Sequence, residues 1–159
     1  MNFSKLVKPN QVVFLDVSTK NDALRRVSEV LAETPEVEDL EILYEAMLKR
    51  ESILSTGVGL GLAVPHAKMD SIREFVVAIG VLRTPVEYDS IDGNPVQIIV
   101  MVGAPEQRQE EYLRLLAQVM EILRIEENRQ RILEAPTPET VVEVFRGVQA
   151  PSPEKAPST

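Results

Sequence analysis

His66 is the only histidine in the chain, and there is no cysteine. It is therefore the only side chain that ordinarily titrates near neutrality, and a neutral imidazole is a nucleophile. It follows Leu62-Ala63-Val64-Pro65 and precedes Ala67-Lys68. Proline has no N–H to continue a ladder, so His66 is expected at a strand end beside a loop, where scaffolds present reactive groups. Two readings stay open: a hydrogen-bonded structural histidine, or a nucleophile. Three neighbours bear on the second, namely Pro65, the glycine-rich Ser55-Thr56-Gly57-Val58-Gly59-Leu60-Gly61, and the cation Arg50 ahead of it. A phosphorylated His66 would carry a charge approaching about −2. A guanidinium and backbone donors can stabilise that charge with no metal or cofactor.

Other chemistries find less support. Gly57 and Gly59 begin a G-x-G-x-x-G pattern, but Leu62 stands at its third position and no strand–turn–helix context follows. The Gly-Lys-Ser/Thr ending of a phosphate loop is also missing. Glycines at 57, 59 and 61 either let N–H groups approach an anion or let two chain segments pack closely. Glu51, Asp70 and Glu74 are acid–base partners that spacing alone does not place. Ser52, Ser55 and Ser71 lie in no nucleophile elbow. One histidine without cysteine is too few for a His-rich or thiolate metal site, so no metal and no cofactor is expected. A formal net charge of −8, from 17 Lys+Arg against 25 Asp+Glu, argues against a general nucleic-acid binder. Glu106, Glu110 and Glu111 read as a solvated helix face.

The elements that must position these residues follow from pattern. Val12 to Leu15 predicts a strand. Thr19, with Asp22 three residues on, caps a helix whose Ala23, Val27, Val30 and Leu31 share a face, and Pro35 ends it. A second helix is expected from about Val37 to Glu51, with Leu40, Leu43 and Met47 inward. Its acidic start (Glu36, Glu38, Asp39, Glu41) and basic end (Lys49, Arg50) suit the helix dipole and put Arg50 where the chain leaves the helix. Phe75 to Leu82 and Val96 to Val102 are almost wholly apolar, as central strands covered on both faces are. Ile91-Asp92-Gly93-Asn94 predicts a turn, with Tyr88 in a short strand before it. Helices are expected over 106–123 and 128–133, and after Thr137-Pro138. The chain of 159 residues, 44% of them apolar, suits one α/β domain over 1–147, its sheet between helix layers. Residues 148–159, rich in Pro and Ser, read as a disordered tail. No apolar run approaches the roughly 20 residues of a membrane helix and no targeting signal is readable, so a soluble cytoplasmic protein is expected.

Arg50-Glu51, Ser55-Thr56-Gly57-Val58-Gly59 and Gly61-Leu62-Ala63-Val64-Pro65-His66-Ala67 together resemble the active-site signature of the fructose/mannitol-type enzyme IIA domain. This domain belongs to the bacterial phosphoenolpyruvate-dependent sugar phosphotransferase system, and the nitrogen-regulatory IIA proteins are close relatives. The element order from Met1 to about Arg146 resembles the whole domain. The resemblance implies a mixed β-sheet with helices on both sides, a three-layer α/β/α domain. It implies that HPr, or its nitrogen-branch homologue, phosphorylates His66, and that the group passes to a IIB domain or is kept as a regulatory mark. Arg50 takes the place of the family's phosphate-stabilising arginine, and Thr56, Gly57, Gly59 and Gly61 that of its phosphate-binding loop. Leu60 stands where many members carry a polar residue, often Asn. Tyr112 stands where many carry a second histidine, and its hydroxyl can still donate to a phosphoryl oxygen. The alternative function is a non-catalytic module of the same fold that controls a transporter, kinase or transcription factor by contact.

Overall fold

The structure, a computed structural model, describes residues 2–149. The expected tail falls, from residue 150 onward, outside the described residues. Strand β1 (Val12–Leu15) leads into helices α1 (Lys20–Ala32) and α2 (Leu40–Ile53). Three short strands follow: β2 (Gly57–Gly59), β3 (Leu62–Ala63) and β4 (His66–Lys68). Two long ones come next, β5 (Val76–Val86) and β6 (Val96–Ala104), and then α3 (Gln109–Leu123), α4 (Glu126–Leu133) and α5 (Pro138–Phe145).

The sheet runs β1-β5-β6-β3-β2, with β4 also paired to β6. β1 lies parallel to β5, β5 antiparallel to β6, and β3 and β4 parallel to β6. The sheet is therefore mixed, and β5 and β6 are its long interior strands. Side chains alternate along β5. Val77, Ile79 and Val81 join a core with Leu115, Val119, Ile132 and Phe145 of the three C-terminal helices. Val76, Ala78 and Leu82 join the opposite core with Leu24, Val27, Leu43 and Met47 of α1 and α2. The result is the expected three-layer α/β/α domain. Each large aliphatic side chain buried this way contributes about 1.5–3 kcal/mol. Gly80 sets how closely α1 can approach, since a Cβ there would meet Val27 Cγ2 at 2.6 Å.

Caps decide the helix starts. Thr19 accepts from the Asp22 N–H and Thr137 from the Thr140 N–H. Asp39 accepts from the N–H groups of Glu41 and Ile42. That cap starts α2 at Leu40 rather than Val37, leaving Glu36 and Glu38 ahead of the helix. Leu40 is only half-buried, and Glu51 joins Leu43 and Met47 on the inward face. Likewise α3 begins at Gln109 rather than at 106. Tyr88 is fully buried but lies in no strand, because β5 itself runs on to Val86. Among the described residues no helix is long and apolar enough to cross a membrane.

Candidate functional site

The strand that carries His66 is continuous across its proline. Leu62 pairs with Ile98, Ala63 with Ile99, His66 with Val102 and Lys68 with Ala104. All four pairs share one offset along β6, so β3 and β4 are one strand in one register. Pro65 lacks a donor, but its carbonyl still accepts from Val102 N at 3.0 Å. Val64 N donates to the other side, to Thr56 O at 3.0 Å. The expectation that Pro65 ends the ladder is corrected: it silences one donor, and the ladder resumes at His66. The nucleophile candidate therefore stands on sheet rather than on a loop.

Two hydrogen bonds fix the imidazole. Nδ1 lies 3.1 Å from Val64 O, and Arg50 Nε donates to Nε2 at 3.2 Å. A carbonyl accepts only from an N–H and a guanidinium only donates. The proton is therefore on Nδ1 and the lone pair on Nε2. Arg50 is itself held, its Nη1 donating to Leu54 O at 2.8 Å beyond the end of α2. Half-burial of the ring, and the positive charges of Arg50 and Lys68, hold the His66 pKa below its ordinary value. The Val64 hydrogen bond and Glu51 oppose that shift. The Tyr112 ring packs 4.9 Å from the imidazole, tilted by 49°. Tyr112 is 3% exposed, and its buried hydroxyl has no hydrogen-bond partner among the described residues. Burial pushes that phenol's pKa up, with Arg50 opposing.

Glu51 follows Arg50 in sequence and turns the other way. It is buried, accepts from Thr56 N at 2.8 Å and Thr56 Oγ1 at 2.7 Å, and pairs with Lys20 Nζ at 3.2 Å. Tyr88 closes the group, its hydroxyl 3.1 Å from Thr56 Oγ1. Nothing in the local sequence signals the parts of Lys20 and Tyr88. The other acids also point elsewhere: Glu74 pairs with Arg108 at 3.0 Å, and Asp70 shares a hydrogen bond with Glu106, whose carboxyl pKa it raises. Ser52 and Ser55 donate to backbone carbonyls.

The glycine segment is a hairpin rather than an open loop. Gly59, Leu60 and Gly61 turn it with φ of +96°, +59° and +74°. Its N–H groups are largely committed: Thr56 N to Glu51, Gly57 N to Ser55 Oγ, and Leu60 N to Asp92 Oδ2. Thr56 and Gly57 line a cleft with His66. Leu60 and Gly61 instead line a separate depression with Pro95 and Arg129. The hairpin thus brings Thr56 and Gly57 to the imidazole and keeps Leu60 and Gly61 away from it.

Two clefts meet at His66 and Arg50. One, of about 420 Å³, has apolar walls that include Leu54, Val58, Ile91, Leu116 and Met120. The other, of about 430 Å³, adds Lys49 and Lys68 to Ala46, Ile53 and Ala67. Lys68 escapes the reading from sequence because that reading stops the strand at Pro65. Strand alternation, carried past the proline, puts positions 66 and 68 on one face.

A neutral imidazole whose Nε2 lone pair meets a guanidinium has the chemistry to take an anionic group onto a histidine. Residues 5–147 match the family model described as "Phosphoenolpyruvate-dependent sugar phosphotransferase system, EIIA 2", and the chain belongs to this family, whose members are components of that system. It is 33% identical over 132 residues to a nitrogen regulatory protein of Pseudomonas aeruginosa, covering 82% of this chain and 85% of that one. It is 32% identical over 131 residues to the fructose-specific EIIABC component of Bacillus subtilis, covering 82% of this chain but only 21% of that longer protein. Among solved structures, the nitrogen regulatory protein IIA-Ntr of Neisseria meningitidis superposes with a TM-score of 0.83 at 24% identity, covering 89% of this chain and 97% of that one. The mannitol IIA enzyme of Escherichia coli, solved in complex with its phosphorylated IIB enzyme, superposes at 0.77 with 19% identity, covering 88% and 96%. At these identities the superpositions speak for the fold.

Proposed function

We propose that His66 Nε2 accepts a phosphoryl group from HPr or its nitrogen-branch homologue in the cytoplasm, and that the group passes to a IIB domain or is kept as a regulatory mark. The observation that supports this is the pair of contacts on the ring, Val64 O at Nδ1 and Arg50 Nε at Nε2, which together favour a proton on Nδ1 and a lone pair on Nε2. The Nε2 lone pair attacks phosphorus in line. The N–P bond of the donor's phosphohistidine breaks, and its electron pair returns to the donor nitrogen. The Nδ1 proton stays in place, so the positive charge gained by the ring is stabilised by the Val64 carbonyl. Arg50 gives up the lone pair and turns its donors to the phosphoryl oxygens. Tyr112, whose hydroxyl has no partner among the described residues, supplies a further donor. The apolar cleft seats the partner protein.

A regulatory use of the same chemistry is the second reading. It rests on likeness to nitrogen regulatory proteins, that of Pseudomonas aeruginosa being 33% identical to this chain. Phosphotransfer from radiolabelled phosphoenolpyruvate, with the first phosphotransferase enzyme and HPr, tests the carrier step. Acid-labile label on wild type and none on His66→Ala is the expected result. Histidine is replaced there at a half-buried position, so the fold stays intact. A partner whose binding differs between His66→Ala and His66→Glu identifies the regulatory use.

A further inference from the structure

We propose that Lys68 is a second phosphoryl-binding cation, which moves onto phospho-His66 from the cleft it shares with Arg50. This rests on His66 being the acceptor and adds a residue to that site. Lys68 lies two residues beyond His66 on β4, on the same face, and lines one cleft with His66 and Arg50. Its ammonium rests 5.1 Å from the centroid of the Tyr112 ring and donates to Gln109 Oε1. Both holders are neutral. Several other cations are paired with carboxylates: Arg25 with Glu41, Arg108 with Glu74 and Glu111, and Lys20 with Glu51. Among the described residues neither Arg50 nor Lys68 has a carboxylate partner, and both line one cleft with His66.

A phosphoryl group brings a charge near −2, which Arg50 alone only half offsets. Lys68 keeps its charge available because its π-face and amide contacts hold the ammonium without neutralising it. Its flexible stem lets the ammonium leave Tyr112 and meet the phosphoryl oxygens. No covalent bond changes hands at Lys68. In the unphosphorylated protein its positive charge beside the imidazole helps to keep His66 neutral.

The test loads wild type, Lys68→Met, Lys68→Arg and Lys8→Met from phosphoenolpyruvate through HPr. Lys8 is exposed ahead of β1, at the other edge of the sheet, and its variant controls for net charge. Loading of Lys68→Met is expected to be roughly tenfold slower, with faster loss of the acid-labile label and a raised His66 pKa in an NMR titration. Lys68→Arg should recover most of the loading rate, and the gap between Lys68→Met and wild type should narrow as salt rises. Loading and decay of Lys68→Met equal to those of Lys8→Met would overturn the proposal, whatever the His66 pKa does. No label on wild type, with HPr demonstrably charged, would instead overturn the acceptor reading and leave Lys68 no phosphoryl to bind.

Discussion

The two clefts that meet at His66 share a residue pair and differ in almost everything else. One is walled by Leu54, Val58, Ile91, Leu116 and Met120, the other by Lys49 and Lys68 beside small or aliphatic neighbours. An apolar wall gains by losing water to a partner surface. A basic one gains by meeting negative charge. On the proposed function, two such clefts sharing one imidazole would divide recognition of a protein from handling of a phosphoryl group. Arg50 is the element they share, and replacing it should have the largest effect after loss of His66 itself. Arg50→Met is expected to slow phosphotransfer by roughly 100-fold, as loss of a charged donor to a transferring group does. Arg50→Lys should restore little, because an ammonium cannot reach Nε2 and Leu54 O from one rigid plane. Labelling kinetics measure both. Recovery by lysine would reduce Arg50 to a point charge and blur the distinction between it and the basic cleft.

How far this comparison was legible in the sequence depends on the range of the interactions. The helices were readable because amphipathic spacing and capping are local: Thr19 with Asp22 foretells α1, and Thr137-Pro138 foretells α5. The sheet's long interior strands were readable because β5 and β6 are apolar on both faces. Pro65 was misread for a physical reason. A missing N–H is visible in sequence, whereas a neighbouring strand that still uses the proline's carbonyl is not. Correcting that register is what brings Lys68 beside His66. The glycine segment was legible as tight backbone but not as a hairpin. Its turn depends on Asp92, far along the chain, which binds Leu60 N at 3.2 Å. Glu51 was visible as an acid next to Arg50, but its long-range partner Lys20 has no local signature.

The apolar side can be tested without touching the charged one. Ile91 is 83% exposed on the rim of the apolar cleft, so a substitution there costs the fold little. Ile91→Asp puts a charge where a partner's apolar surface must dry. The KM for phosphorylated HPr should rise roughly tenfold, in line with about 1.4 kcal/mol of lost docking energy. The lifetime of phospho-His66 should not change. An altered lifetime with an unchanged KM would mean that the two clefts do not divide the work as their chemistry indicates.

Tyr112 packs against the imidazole that both clefts share. Lys68 rests on its ring, and Leu116, one turn along α3, lines the apolar cleft. Its buried hydroxyl has no partner among the described residues, and an unpaired buried hydroxyl costs about 1–3 kcal/mol. A purely structural tyrosine gains nothing from that cost. A tyrosine that donates to a phosphoryl oxygen recovers it when His66 is loaded. Tyr112→Phe keeps the ring and removes only the oxygen, so the two states should respond with opposite signs. The unphosphorylated variant should be more stable by about 1 kcal/mol, a rise of roughly 3 °C in Tm for a chain of this size. The phosphorylated variant should lose its label a few-fold faster than wild type. Scanning calorimetry and label decay read the two effects separately. A gain in Tm with an unchanged phosphohistidine lifetime would make the hydroxyl a tolerated defect and leave the phosphoryl to the two cations.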